Sequence, residues 1–209
     1  MMRRACVVLI GVLVITLAGC ATRHSPAPRA GESFHPDQDL QWVWVADGFS
    51  FRRYEAVHVE DPVAQVAKLD PDGVQNLAWA RGVLGEEMAA ALRAMNTFHV
   101  VTTGSLSSGP AVGRTLRLQT TIIEYEKGGG GARFWAGRWG AGQPVIRVRG
   151  RVMDGDRVVC SFDTRQSGET FLARHFGGYR TDKAIQEEDI KDLAKRLAKF
   201  VARDGVPRE

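Results

Sequence analysis

The chain has 209 residues, 44% of them hydrophobic and 25% charged, which fits one globular domain with appendages. Its formal net charge is +4, and subtracting Arg3 and Arg4, which precede an apolar N-terminal run, leaves +2. No strongly basic field argues for nucleic acid.

Met1 to Arg4 form a short positive segment, and Ala5 to Ala18 is apolar except for Thr16. This run is too short to span a bilayer comfortably and fits the hydrophobic region of a signal peptide. Leu17-Ala18-Gly19-Cys20 closes it. These four residues resemble the lipobox of bacterial lipoproteins. The resemblance implies a signal peptide over 1–19 and lipidation of Cys20. A single acyl chain, at about 0.8 kcal/mol per buried CH₂, binds a membrane only marginally, so stable anchoring needs the two or three chains that this modification supplies. By resemblance to the proteobacterial sorting rule, Ala21 after the cysteine favours transfer to the outer membrane. That implies palmitate on the cysteine and a domain facing the periplasm.

Residues 21–41 contain Pro26, Pro28 and Pro36 and no hydrophobic period, so 20–41 reads as the lipidated cysteine and a flexible tether. A single domain is expected over 42–209. Trp42-Val43-Trp44-Val45 opens it. A first strand is predicted from Phe49 to Glu60, with Val57 and Val59 on one face and Ala56 and His58 on the other. His58 has no other His or Cys at metal spacing.

Asp70-Pro71-Asp72-Gly73 marks a turn into a helix over 74–95, with an apolar face of Val74, Leu77, Leu84, Met88, Ala91 and Met95. Gly82 and Gly85 weaken it by roughly 1 kcal/mol each, which predicts close packing at both positions. Asn96 is the expected stop. A short strand follows at 98–103, then a loop, then a long strand at 114–126. Leu116, Leu118, Thr120 and Ile122 fall on one side of it and Arg117, Gln119, Thr121 and Ile123 on the other.

A glycine-rich corner leads to Ile146, Val148 and Val152, which alternate with Arg147, Arg149 and Arg151. The partner strand alternates Val158, Cys160 and Phe162 inward with Ser161, Asp163 and Arg165 outward. Cys6 and Cys20 lie in the N-terminal segment, so Cys160 reads as a buried, inert thiol with no disulfide partner. A three-residue turn, Asp154 to Asp156, predicts Val152 opposite Val158 and Val148 opposite Phe162. The last helix is predicted over 185–203, with a stripe of Ile190, Leu193, Leu197, Phe200 and Val201. The order β-α-β-β-β-β-α predicts an α+β two-layer sandwich. Two helices would cover one face of a mostly antiparallel sheet of about five strands.

The corner itself, with Gly137, Gly140 and Gly142 around Arg138 and Trp139, is a poor phosphate loop. It reverses the dinucleotide fingerprint and no helix follows it. Glycines there permit a bend between crossing strands. The run from Gly128 through Gly142, with the strand hairpin that follows, resembles the bacterial lipoprotein family called domain of unknown function 4410. The matching signature residues are Gly131, Arg133, Gly137, Gly140 and Gly142, and the resemblance covers Phe49 to Val201. The aromatic residues Phe134, Trp135 and Trp139 depart from it. The family has no established activity, so the resemblance implies class and location only.

Three functions follow as expectations. The first is a non-enzymatic, lipid-anchored envelope protein that binds a protein partner through Arg133, Phe134, Trp135, Arg138 and Trp139, whose composition is that of interface hot spots. The second is a binding module for an anionic glycan or lipid headgroup, using Arg147, Arg149 and Arg151. The third is an envelope hydrolase built on Glu124, Glu126 and His175. No cofactor, no metal and no nucleic-acid partner is expected.

Overall fold

The computed structural model describes residues 32–67, 69, 71–105, 114–128, 144–167 and 181–207. The strands are β1 (His35–Asp37), β2 (Gln41–Val45), β3 (Ala56–Val59), β4 (Val63–Ala64), β5 (Val100–Thr103), β6 (Thr115–Glu126), β7 (Val145–Asp154) and β8 (Arg157–Ser167). Two α-helices are present among the described residues, α1 (Pro71–Ala94) and α2 (Asp182–Ala202). The α+β class is as expected. The sheet is larger and differently ordered: eight strands run β1-β2-β8-β7-β6-β3-β5, with β4 also on β6.

It is also a mixed sheet. The ladders from β1 to β6 are antiparallel, while β3 lies parallel to both β5 and β6. The cause is the connection: α1 carries the chain from β3 back to β5, and a helical crossover returns it in the same direction. Residues 35–41, read as the end of the tether, form β1, the turn after it and the first residue of β2. The expected strand over 49–60 is shorter, because Phe51–Arg53 forms a 3₁₀ turn before β3.

Pro71 opens α1, where its missing N–H costs nothing, and Asn96 closes it at φ 52°. The buried stripe is Leu77, Ala80, Leu84, Met88 and Leu92. Val74 and Met95, expected inside, are 56% and 39% exposed. Gly85 is the packing glycine: a Cβ there would meet the Pro62 ring at 3.1 Å. Nothing lies within 4 Å of the same position on Gly82.

Thr181 caps α2 by accepting from the Ala184 N–H at 3.2 Å. The expected stripe is buried throughout, with Ile190, Leu193, Leu197, Phe200 and Val201 all at 3% exposure or less. Lys183 lies over the Trp79 ring at 4.7 Å and Lys191 meets Glu87 at 3.8 Å. Both partners advance together along the chain, so the helices run parallel to each other. Their apolar residues share one core with Leu118, Val148 and Phe162 of the sheet.

The β7–β8 register differs from the expected one. Asp154 pairs with Arg157, a bulge falls next to Val152, and Phe162 sits opposite Gly150. The tight turn would put β8 out of phase, and the bulge restores Cys160, Phe162 and Thr164 to the core side. Gly150 makes this register possible, since a Cβ there would lie 2.0 Å from the Phe162 ring. Gly150→Ala is therefore expected to lower stability by about 1–3 kcal/mol through overpacking. Phe162→Leu in the same chain should relieve part of that loss, a coupling that urea denaturation of the two single variants and the double variant measures. Strict additivity would show that ring and glycine do not meet.

Candidate interaction surface

Cys20 and the proposed contact residues Arg133, Phe134, Trp135, Arg138 and Trp139 lie outside the described residues. So do Gly131, Gly137, Gly140 and Gly142, and with them His175. The described part of the molecule offers a different surface, the face of the sheet opposite the helices.

This face follows from alternation. Leu116, Leu118 and Ile122 of β6, Val148 and Val152 of β7, and Val43 of β2 point to the helices and are buried. Their neighbours point the other way. Directly opposed residues give two rows across the outer face. One runs Trp42, Asp163, Arg149, Thr121, and the other Trp44, Ser161, Arg151, Gln119. Large side chains on β2 and β7 thus flank short ones on β8.

The short ones are buried although they face outward. Asp163 is 1% exposed and Ser161 3%. Asp163 is roofed by two guanidinium groups. Arg147 Nε donates to it at 2.6 Å, and Arg149 donates through Nε at 3.3 Å and Nη2 at 3.1 Å. One carboxylate shared by two arginines leaves a net positive charge with its geometry fixed in advance. Ser161 is covered differently: its hydroxyl donates to the carboxylate of Glu32 at 3.2 Å.

A further row is self-neutralising. Arg165 donates to Glu124 at 3.0–3.2 Å, and the Gln41 amide exchanges hydrogen bonds with the Arg165 backbone. Glu124 reaches this face because a bulge beside Ile123 shifts the phase of β6, turning Tyr125 inward. The Tyr125 hydroxyl donates to Gln186 at 3.0 Å, and burial pushes its pKa up to about 12. The Glu124–Glu126 pair of the hydrolase expectation therefore has one member held in an ion pair.

The remaining candidates are tied into the fold. His58 bonds Thr102 through Nδ1 at 2.8 Å and the Gly104 carbonyl through Nε2 at 2.9 Å. The carbonyl can only accept, so Nε2 donates to it. Cys160 is fully buried, and burial, reinforced by Glu32, pushes its thiol far above the usual range. That matches the inert thiol expected. Among the described residues no group of three His, Cys, Asp or Glu side chains is placed to hold a metal.

No family model matches the chain, and no curated protein matches it either. Several solved structures are similar to it. The PelC dodecamer from Paraburkholderia phytofirmans aligns at 17% identity and a TM-score of 0.47, covering 74% of this chain and 96% of that one. A Xanthomonas campestris protein of the family called domain of unknown function 330 aligns at 13% identity and a TM-score of 0.44, covering 77% and 90%. A minor lipoprotein from Acinetobacter baumannii aligns at 12% identity and a TM-score of 0.35, covering 75% and 98%. Among the described residues no helix is long and apolar enough to cross a membrane.

What sequence reasoning missed on this surface is its arrangement. It identified the three arginines of β7 and the outward Ser161 and Asp163. It did not place Trp42 and Trp44 beside them, because pairing between β2 and β8 spans more than a hundred residues and leaves no local signal.

Proposed function

We propose that the protein is a non-enzymatic, lipid-anchored envelope protein, held on the periplasmic side of the outer membrane, that works by binding another protein. One observation carries this reading: the sheet face opposite the helices presents Trp42, Trp44, Arg149 and Arg151 in adjacent rows. Tryptophan and arginine are the residue types that dominate interface energetics. The anchor rests on Leu17-Ala18-Gly19-Cys20 and the tether on the proline-rich stretch after it. Arg133, Phe134, Trp135, Arg138 and Trp139 belong to the same proposal as additional contacts.

The anionic glycan or headgroup reading is weaker on this surface. Arg147 and Arg149 share Asp163, and Arg165 is matched by Glu124, so half of the charge on the four arginines 147, 149, 151 and 165 is already compensated. The test is in intact cells. Cys20→Ser should abolish acylation, leave the precursor uncut, and move the protein out of the detergent phase. Crosslinking with the native lipoprotein as bait should capture an envelope protein. A mature wild-type protein without acyl mass would overturn the anchor, and crosslinking that yields no protein partner would overturn the function.

A further inference from the structure

The contact between Ser161 and Glu32 is unlike the others on the outer face. Asp163, the next outward residue on β8, is covered by Arg147 and Arg149 of β7, within the sheet itself. Ser161 is covered from outside the sheet, by a carboxylate of the segment that leads into β1. The site is built: the serine is 97% buried by difference from its 3% exposure, its register neighbours are Trp44 and Arg151, and an anion sits on it.

We infer that the Ser161 row is a carboxylate subsite, occupied at rest by the chain's own Glu32, and that an acidic extended segment of the partner protein binds by displacing it. This deepens the proposed function and rests on it. The chemistry follows from the row. The Ser161 hydroxyl donates to the incoming carboxylate, as it now does to Glu32. Arg151, one strand away at the same level, supplies the cation, and Trp44 on the other side supplies an apolar wall. The next row along β8 already shows the same arrangement in permanent form, with Asp163 as the carboxylate, Arg149 as its donor and Trp42 as its wall.

The preference for carboxylate over a lipid phosphate comes from the same geometry. A phosphate favours several free guanidinium forks, and Arg147 and Arg149 are committed to Asp163. Glu32 acts as an internal competitor. A partner must match its effective concentration before binding, which lowers the apparent affinity without changing any contact.

The probe is a fluorescein-labelled hexaglutamate peptide titrated into the full-length chain in detergent at low salt. Glu32→Gln should tighten its binding by about threefold or more. Glu86→Gln removes the same charge from an exposed position on α1, and its smaller effect separates displacement from a general field. Arg151→Ala should weaken binding about tenfold with an unchanged denaturation midpoint, and Ser161→Ala should remove the gain from Glu32→Gln. Equal effects of Glu32→Gln and Glu86→Gln would overturn the internal-ligand assignment. No binding of hexaglutamate to the Glu32→Gln chain would overturn the subsite, as would competition by soluble dihexanoyl phosphatidylglycerol stronger than that by unlabelled peptide. These failures leave partner capture in cells untouched, so they are distinguishable from failure of the proposed function.

Discussion

Replacing Arg203 by alanine is expected to lower the stability of the domain by about 3–5 kcal/mol, because it removes a guanidinium bound to a buried carboxylate. Arg203 follows α2 directly. Its guanidinium binds Asp37 of β1 through Nη2 and Asp39 through Nη1, while Nε donates to the Val206 carbonyl at 2.7 Å. The Asp37 side chain has no exposed surface and that of Arg203 only 12%. Asp37 keeps the N–H groups of Asp39 and Leu40, at 2.9 and 3.0 Å, but these dipoles do not replace a full charge in a low-dielectric site. The comparison is Arg196, whose pair with Asp192 is an exposed i,i+4 contact on α2. Arg196→Ala should shift stability by no more than about 0.5 kcal/mol. Urea denaturation of the two variants measures the difference as a shift in midpoint at constant slope. Equal, small losses would show that the Asp37 carboxylate reaches water.

Leu197→Ala is expected to cost about 2–5 kcal/mol, the range for emptying a leucine site in a core that relaxes only partly. Leu197 is 1% exposed and lies one turn from Leu193 and next to Phe200 and Val201. Its counterpart is Val74 on α1, also apolar and also on a helix, but 56% exposed. Val74→Ala should stay within about 0.5 kcal/mol. Chemical denaturation decides it, and an unchanged midpoint for Leu197→Ala would mean that α2 does not lie on the sheet.

The contrast between these two residues shows what periodicity can and cannot tell. The stripe of α2 was legible because five large residues recur at helical spacing and all of them are buried. On α1 the same rule chose Val74 and Met95 and passed over Ala80 and Ala89, which are fully buried. Small residues give a weak hydrophobic signal exactly where elements approach closest, and helix ends drift out of the packed face. The inward residues of β6 were legible up to Ile122. The bulge beyond it was not, since an extra residue leaves no mark of its own in the sequence. Strand order was illegible for a different reason. Alternation tells which face a residue takes but nothing about which strand lies beside it, so the parallel placement of β3 between β5 and β6 had no local trace. Of the interaction surface, the arginines of β7 and the outward residues of β8 were readable. Their tryptophan neighbours and the Glu32 contact depend on long-range pairing and were not.

The Arg203 contact also has a mechanical side. Chain entering from the N-terminal side reaches the sheet through β1, a strand of three residues at its very edge. A pull from that side would peel so short a strand open like a zipper, one residue at a time. Asp37 is the last residue of β1, and it is fastened to the end of α2, 166 residues away in sequence. The peel therefore stops after three residues, and the load passes from the edge of the sheet into the helix that fills its core.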